Sequence, residues 1–91
     1  MKVAVYSTHN FEKEFLLRAA KDKHELILLE PQLSLMTAAL AEGCTAVCIF
    51  VNDDGSKDVL KKLSAIGIKY LALRSAGFNH VDIKTAYELS M

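Results

Sequence analysis

"TAVCIFVNDDGSKDVLKKLSAIGIKYLALR", residues 45–74, holds a strand, a turn, a helix and a second strand in thirty positions. Residues 45–51 are a short apolar run, too short for a core helix and rich in β-branched and aromatic types, so they read as a buried strand. "NDDG" turns the chain. Val59, Leu60, Leu63 and Ile66 then recur at helical spacing, with lysines on the opposite face. Ser56 is placed to cap that helix, and Gly67 stands where a helix ends on a left-handed residue. "IKYLALR", residues 68–74, is a second apolar run and reads as another buried strand. Two strands joined through a helix run parallel.

The same alternation extends toward the N-terminus. "KVAVYS" (residues 2–7) predicts a strand. "NFEKEFLLRAAKDKH" predicts a helix with Asn10 as its cap and Phe11, Phe15, Leu16 and Ala19 on one face. "HELILLE" (residues 24–30) predicts a strand closed by Pro31, and "SLMTAALAEG" (residues 34–43) a helix stopping at Gly43. Toward the C-terminus, "DIKTAYELSM" predicts a last helix capped by Asp82. Four βα units with continuous apolar strands predict an α/β fold, a parallel sheet with helices on both faces. Right-handed crossovers leave few topologies. The flavodoxin-like strand order 2-1-3-4 is the expectation, with a Rossmann-like half as the second choice. In that order strand four is an apolar edge, a poor natural boundary. The sheet is therefore expected to be incomplete, and the 91 residues to be a piece of a longer chain.

Composition sets the class. With 52% hydrophobic and 24% charged residues over 91 positions, the chain is one small globular domain, marginal in size without a partner segment or subunit. Its net charge is zero and its basic residues are scattered among acids, which argues against nucleic acid and anionic membranes as partners. No apolar run approaches the roughly 20 residues of a membrane helix, and the charged opening stretch is not a signal peptide. Cys44 and Cys48 on one strand stand about 13 Å apart at the strand rise, too far for a disulfide, so both are expected to be thiols of a cytoplasmic protein.

Ligands of open parallel sheets sit beyond the carboxyl ends of the strands. That selects residues 7–10, 30–33, 51–55 and 75–82. "STHN" after the first strand lacks the glycines of a dinucleotide or phosphate loop, and no such pattern occurs elsewhere. Ser7 and Thr8 alone are a weak flavin-loop hint. Asp53 and Asp54 are paired carboxylates that suit a magnesium ion or acid–base work. Beside a helix start, however, they read first as cap and dipole partners. His9, His24 and His80 are dispersed and have no evident carboxylate partner. The fourth loop, "RSAGFNHVD", is the most informative. Its small residues Ala76 and Gly77 let a ligand approach the main chain, and successive N–H groups there would form an anion-binding concavity. A tight connection, small for steric reasons alone, is the competing reading. Arg74 either braces the turn or faces solvent.

"AVCIFVNDDGS", "VLKKL" and "GIKYLALRSAGFNHVDIKTAYELS", with the opening "MKVAVYST", closely resemble the D-2-hydroxyacid dehydrogenases, most nearly the fermentative NAD-dependent D-lactate dehydrogenases. The resemblance spans the whole chain. It implies that residues 1–91 are the N-terminal portion of a flavodoxin-like substrate-binding domain, and that a separate Rossmann domain, outside these residues, binds NAD. It also implies that Ser75, Ala76 and Gly77 hold a substrate carboxylate through main-chain N–H groups. Phe50, at the end of strand three, matches a position lining the substrate pocket. The family's catalytic histidine, its glutamate partner and its keto-acid-gripping arginine belong to the later domain. Hence no catalytic, cofactor or metal ligand is expected here, and neither Arg74 nor His80 is one of those groups. The implied substrate is a small 2-keto or 2-hydroxy acid such as pyruvate or D-lactate. The implied partners are the rest of the same chain and, in an oligomer, further copies. Two departures stand out. Relatives read "RCAGFNN" where Ser75 and His80 occur here, and "ELG" where Ser90 occurs. A different reading of the same residues is a free-standing flavodoxin-like binding module without catalysis.

Overall fold

The computed structural model describes residues 1–8, 13, 18, 24–73 and 80–91. The cap and apolar face of the helix expected after the first strand (Asn10, Phe11, Phe15, Leu16 and Ala19) lie outside them. Four strands, β1 (Lys2–Val5), β2 (Glu25–Leu28), β3 (Ala46–Ile49) and β4 (Tyr70–Leu73), form one sheet in the order β2-β1-β3-β4. All pairs are parallel, with Val3 level with Leu26 on one side and Ala46 on the other, and Val47 level with Leu71. This is the α/β architecture and strand order that the sequence pattern predicts.

The central strands carry the core. Ala4 and Tyr6 from the β1 segment and Val47 and Ile49 of β3 are fully buried. They meet Val59, Leu60 and Leu63 of α1 (Lys57–Ala65). Each of these Val, Leu and Ile side chains contributes roughly 1.5–3 kcal/mol by leaving water. β4 is different. The apolar run that predicts a buried strand instead presents Tyr70 and Leu73, 54% and 36% exposed, because among the described residues β4 pairs only with β3.

Helix ends follow local chemistry. α1 begins after Ser56, whose carbonyl accepts the first helical bond from the Leu60 N–H at 2.9 Å. The expected cap from the Ser56 hydroxyl is not made. Asp54 Oδ1 instead accepts the Ser56 N–H at 2.9 Å, and Asp58 sits in the first turn where the helix dipole favours an anion. At the other end Gly67 has φ +102. Its N–H donates to the Ser64 carbonyl and the Ile68 N–H to the Leu63 carbonyl, a Schellman closure that brings buried Ile68 against Leu63. α2 (Ile83–Glu88) starts as predicted: Asp82 accepts the Thr85 N–H at 3.1 Å and its hydroxyl at 3.0 Å. It ends on the same closure, but Ser90 takes the left-handed position with φ +59.

The α-helix expected over residues 34–43 is a turn followed by a single 3-10 turn, Ala38–Ala41. Local side chains redirect the backbone there. Ser34 and Thr37 bond each other's main chain, and the Thr37 hydroxyl donates to the Gln32 carbonyl at 2.7 Å. The Tyr6 hydroxyl, buried beneath them, donates to the Thr37 carbonyl at 2.7 Å. Ala38 and Ala41, eclipsed in a 3-10 turn, are both small enough to enter the core together.

Candidate functional site

Three loops meet at the carboxyl ends of β1, β2 and β3. The first leaves β1 through Tyr6 and Ser7, and Ser7 has φ +54, a left-handed conformation unusual for a residue with a side chain. The second crosses above it: the Ser7 N–H donates to the Pro31 carbonyl and the Thr8 N–H to the Leu29 carbonyl, both at 2.9 Å. The third is Phe50–Gly55, joined to the second by the Asp54 N–H on the Leu33 carbonyl at 2.9 Å. Between them lies a cleft of about 190 Å³ lined by Ser7, Glu30, Gln32, Phe50 and Asn52. A larger hollow of about 430 Å³, lined by Gly67–Tyr70 with Leu89 and Ser90, lies at the amino end of β4, away from the ligand side.

Asp53 joins the loops from below. Its side chain is almost fully buried. Oδ1 accepts the Ser7 hydroxyl at 2.6 Å and the Leu33 N–H at 2.7 Å, and Oδ2 accepts the Phe50 N–H at 2.6 Å. From the sequence, Asp53 and Asp54 read alike, as helix-start partners. Asp54 does serve the start of α1, whereas Asp53 turns inward and bonds no helix N–H. Nothing in "NDDG" distinguishes the two acids; only the fold reveals which one meets three converging donors. The hydroxyls of Ser7 and Thr8 are likewise committed inward, to Asp53 and to the Val5 carbonyl at 2.8 Å.

Electrostatics at the cleft are mild. Glu30, on the rim, is held below the usual carboxylate range by the hydrogen bond and charge of Lys13 at 2.8 Å. The Tyr6 phenol is pushed up to about 12, first by burial and then by the neighbouring Cys44 and Asp53. Burial also raises the Cys44 thiol, with Lys2 offsetting part of the effect, so that thiol is a core group rather than a nucleophile. Cys44 and Cys48 form no disulfide.

Of the sequence-predicted binding residues, Phe50 is half-buried and lines this cleft. Ser75, Ala76 and Gly77 fall outside the described residues, as do His9 and Arg74. The far end of that fourth loop is described. Gly55 pairs with Val81 in an isolated bridge, its N–H donating to the His80 carbonyl at 3.0 Å and its carbonyl accepting the Asp82 N–H at 2.9 Å. A Cβ on Gly55 would stand 2.9 Å from the His80 oxygen, so only glycine allows this approach. The bridge ties the third loop to the exit of the fourth. His80 Nε2 is buried and finds no hydrogen-bond partner among the described residues.

A four-stranded parallel sheet with its cleft at the carboxyl ends fits a small-ligand domain. Comparison with known families makes this specific. Residues 3–91 match the family model described as D-isomer specific 2-hydroxyacid dehydrogenase, catalytic domain, and the chain belongs to that family. It is 50% identical over its whole length to the D-lactate dehydrogenase of Escherichia coli and 49% identical to a 2-hydroxyacid dehydrogenase homolog of Haemophilus influenzae. The chain spans 28% of the length of each. The apo-structure of the Escherichia coli D-lactate dehydrogenase superposes on all of it with a TM-score of 0.96 and 50% identity, over 29% of that chain. An NAD-complexed D-isomer specific 2-hydroxyacid dehydrogenase from Lactobacillus delbrueckii ssp. bulgaricus matches 93% of this chain and 26% of its own, at 30% identity and a TM-score of 0.82.

Proposed function

We propose that residues 1–91 are the N-terminal segment of the substrate domain of an NAD-dependent D-lactate dehydrogenase, in which pyruvate, NADH and a proton give D-lactate and NAD⁺. The observation that carries this reading is 50% identity, over the whole length of the chain, to a D-lactate dehydrogenase whose structure superposes with a TM-score of 0.96. In this reading Ala76 and Gly77, with Ser75, present main-chain N–H groups to the pyruvate carboxylate, and Phe50 walls the side of the cleft that receives the methyl group. Charge-assisted N–H bonds of this kind are short and about twice as strong as neutral ones. Their role is to hold the keto acid in one orientation, from which much of an enzyme's rate derives.

The described residues of this cleft do not suit NAD. The first loop has no glycine cradle, its two hydroxyls are turned inward, and the cleft of about 190 Å³ is small beside the roughly 300–1,000 Å³ of ordinary ligand pockets. The dinucleotide is therefore assigned to a Rossmann domain outside residues 1–91, and the catalytic acid with it. The protein is assigned to the cytoplasm.

Exchange is the direct test. Residues 1–91 replace the matching segment of the Escherichia coli D-lactate dehydrogenase, and pyruvate-dependent oxidation of NADH is measured. Activity within about tenfold of the parent is expected, and the isolated 91-residue chain is expected to show none. A folded but inactive chimera contradicts the assignment and favours a binding module. Turnover by the isolated chain contradicts the division of labour.

A further inference from the structure

We propose that Asp53 is a positioning residue of the substrate cleft, its buried carboxylate setting where Phe50 and Ser7 stand. The inference deepens the dehydrogenase reading and rests on it. A lone carboxylate deep in a small domain is costly to desolvate, and an apolar side chain of similar size would serve stability as well or better. Here the carboxylate takes three donors, at 2.6, 2.6 and 2.7 Å, one from each of three different loops. Two of the three, the Ser7 hydroxyl and the Phe50 N–H, belong to residues lining the cleft. The third, from Leu33, lies next to cleft-lining Gln32. Ser7 is also held at φ +54, a conformation that costs a side-chain-bearing residue free energy and persists only where the surroundings over-determine it. Its hydroxyl bond to Asp53 is part of that constraint. The cleft wall is thus built from Asp53 outward, and the wall determines how a keto acid is oriented.

Asp53→Asn separates positioning from folding. An amide has one acceptor oxygen where the carboxylate has two, so either the Phe50 N–H or the Ser7–Leu33 pair faces an NH₂ donor. In the full-length dehydrogenase carrying these residues, D53N is expected to raise KM for pyruvate about tenfold with a smaller fall in kcat, since a displacement near 1 Å can cost up to about a hundredfold. It is also expected to change the preference between pyruvate and 2-ketobutyrate. Ser7→Ala, which removes one of the three donors, is expected to shift KM in the same direction by less. Asp54→Asn, the same charge change on the exposed neighbour, is expected to leave KM and preference alone. A D53N enzyme that melts earlier yet keeps the parental KM and preference overturns the proposal. So does an unchanged S7A should D53N fail to fold. An unsubstituted enzyme that does not reduce pyruvate overturns the underlying dehydrogenase reading instead, and is recognised before any variant is made.

Discussion

The two ends of the sheet are built on different principles. At the carboxyl end, side chains reach across loops: Asp53 gathers three donors, Tyr6 reaches the 3-10 turn, and Gly55 pairs with Val81. At the amino end of β4, the chain is closed by the main chain alone, through two Schellman turns on Gly67 and Ser90, beside an open hollow and an exposed apolar strand. Loops that must present a cleft are pinned by specific polar bonds. The turns beside β4 only terminate the two helices. Substitutions at the first end should therefore be felt strongly, and those at the second weakly or in the opposite direction.

The sharpest contrast is expected from Asp53→Ala. It removes the acceptor of a buried N–H, a part-buried N–H and a buried hydroxyl, each costing on the order of 1–3 kcal/mol when buried. With partial relaxation the loss should reach about 4 kcal/mol. Against a total of roughly 5–14 kcal/mol for a chain of this size, that removes much of the stability. Denaturant unfolding measures it, and a loss below about 1 kcal/mol would mean that the three loops hold without their hub.

Gly55→Ala should come next. The added Cβ meets the His80 oxygen and Val81 Cγ2 at 2.9 Å and Val81 Cα at 3.0 Å, and two of those three atoms are backbone that cannot swing aside. A destabilisation of about 2 kcal/mol is expected, with the bridge to Val81 lost in amide exchange.

Tyr6→Phe tests the third tie. Removing the phenol takes one of two donors from the Thr37 carbonyl, which keeps the Leu40 N–H at 3.1 Å, at a cost of about 1 kcal/mol. The pH dependence follows from the raised ionisation. Because the folded phenol ionises near 12 rather than 10.0, the folded state binds the proton more tightly than the unfolded one. Its contribution is full below pH 10 and is lost as pH climbs through 12. Melting temperatures taken across that window should fall for the parent and fall less for Tyr6→Phe.

These cases also separate what was legible in the residues from what was not. The sheet order was legible because continuous apolar runs alternating with helical stripes admit few parallel topologies, and Gly67 and Asp82 sit where their local chemistry requires. The 34–43 segment misled because Ala and Leu favour a helix while Ser34, Thr37 and a distant Tyr6 hydroxyl hold the backbone otherwise. Phe50 was reached through family resemblance, not through spacing. Asp53 was invisible in its role, since its three partners lie 3, 20 and 46 positions away and only tertiary structure assembles them.

At the amino end the expected effects are smaller and their signs inform. Ser90→Gly relieves a left-handed serine at φ +59 and should stabilise by about 0.5–1 kcal/mol, the one gain in the series. A loss there would mean that the Ser90 side chain contributes a contact outweighing its backbone cost.

Tyr70→Lys bears most directly on the contrast, although its effect on stability should be the smallest. Tyr70 is 54% exposed on β4, and exposed surface changes usually fall within about 0.5 kcal/mol. Lysine on an edge strand opposes pairing with other chains. The isolated 91-residue chain should therefore keep its melting temperature while any self-association seen by sedimentation declines. In a longer chain where another element covers β4, the same lysine would be forced against packed neighbours and should destabilise by well over 1 kcal/mol. Equal effects in the short and long chains would mean that nothing docks on this edge, and the difference between the two ends of the sheet would then reflect loop chemistry alone.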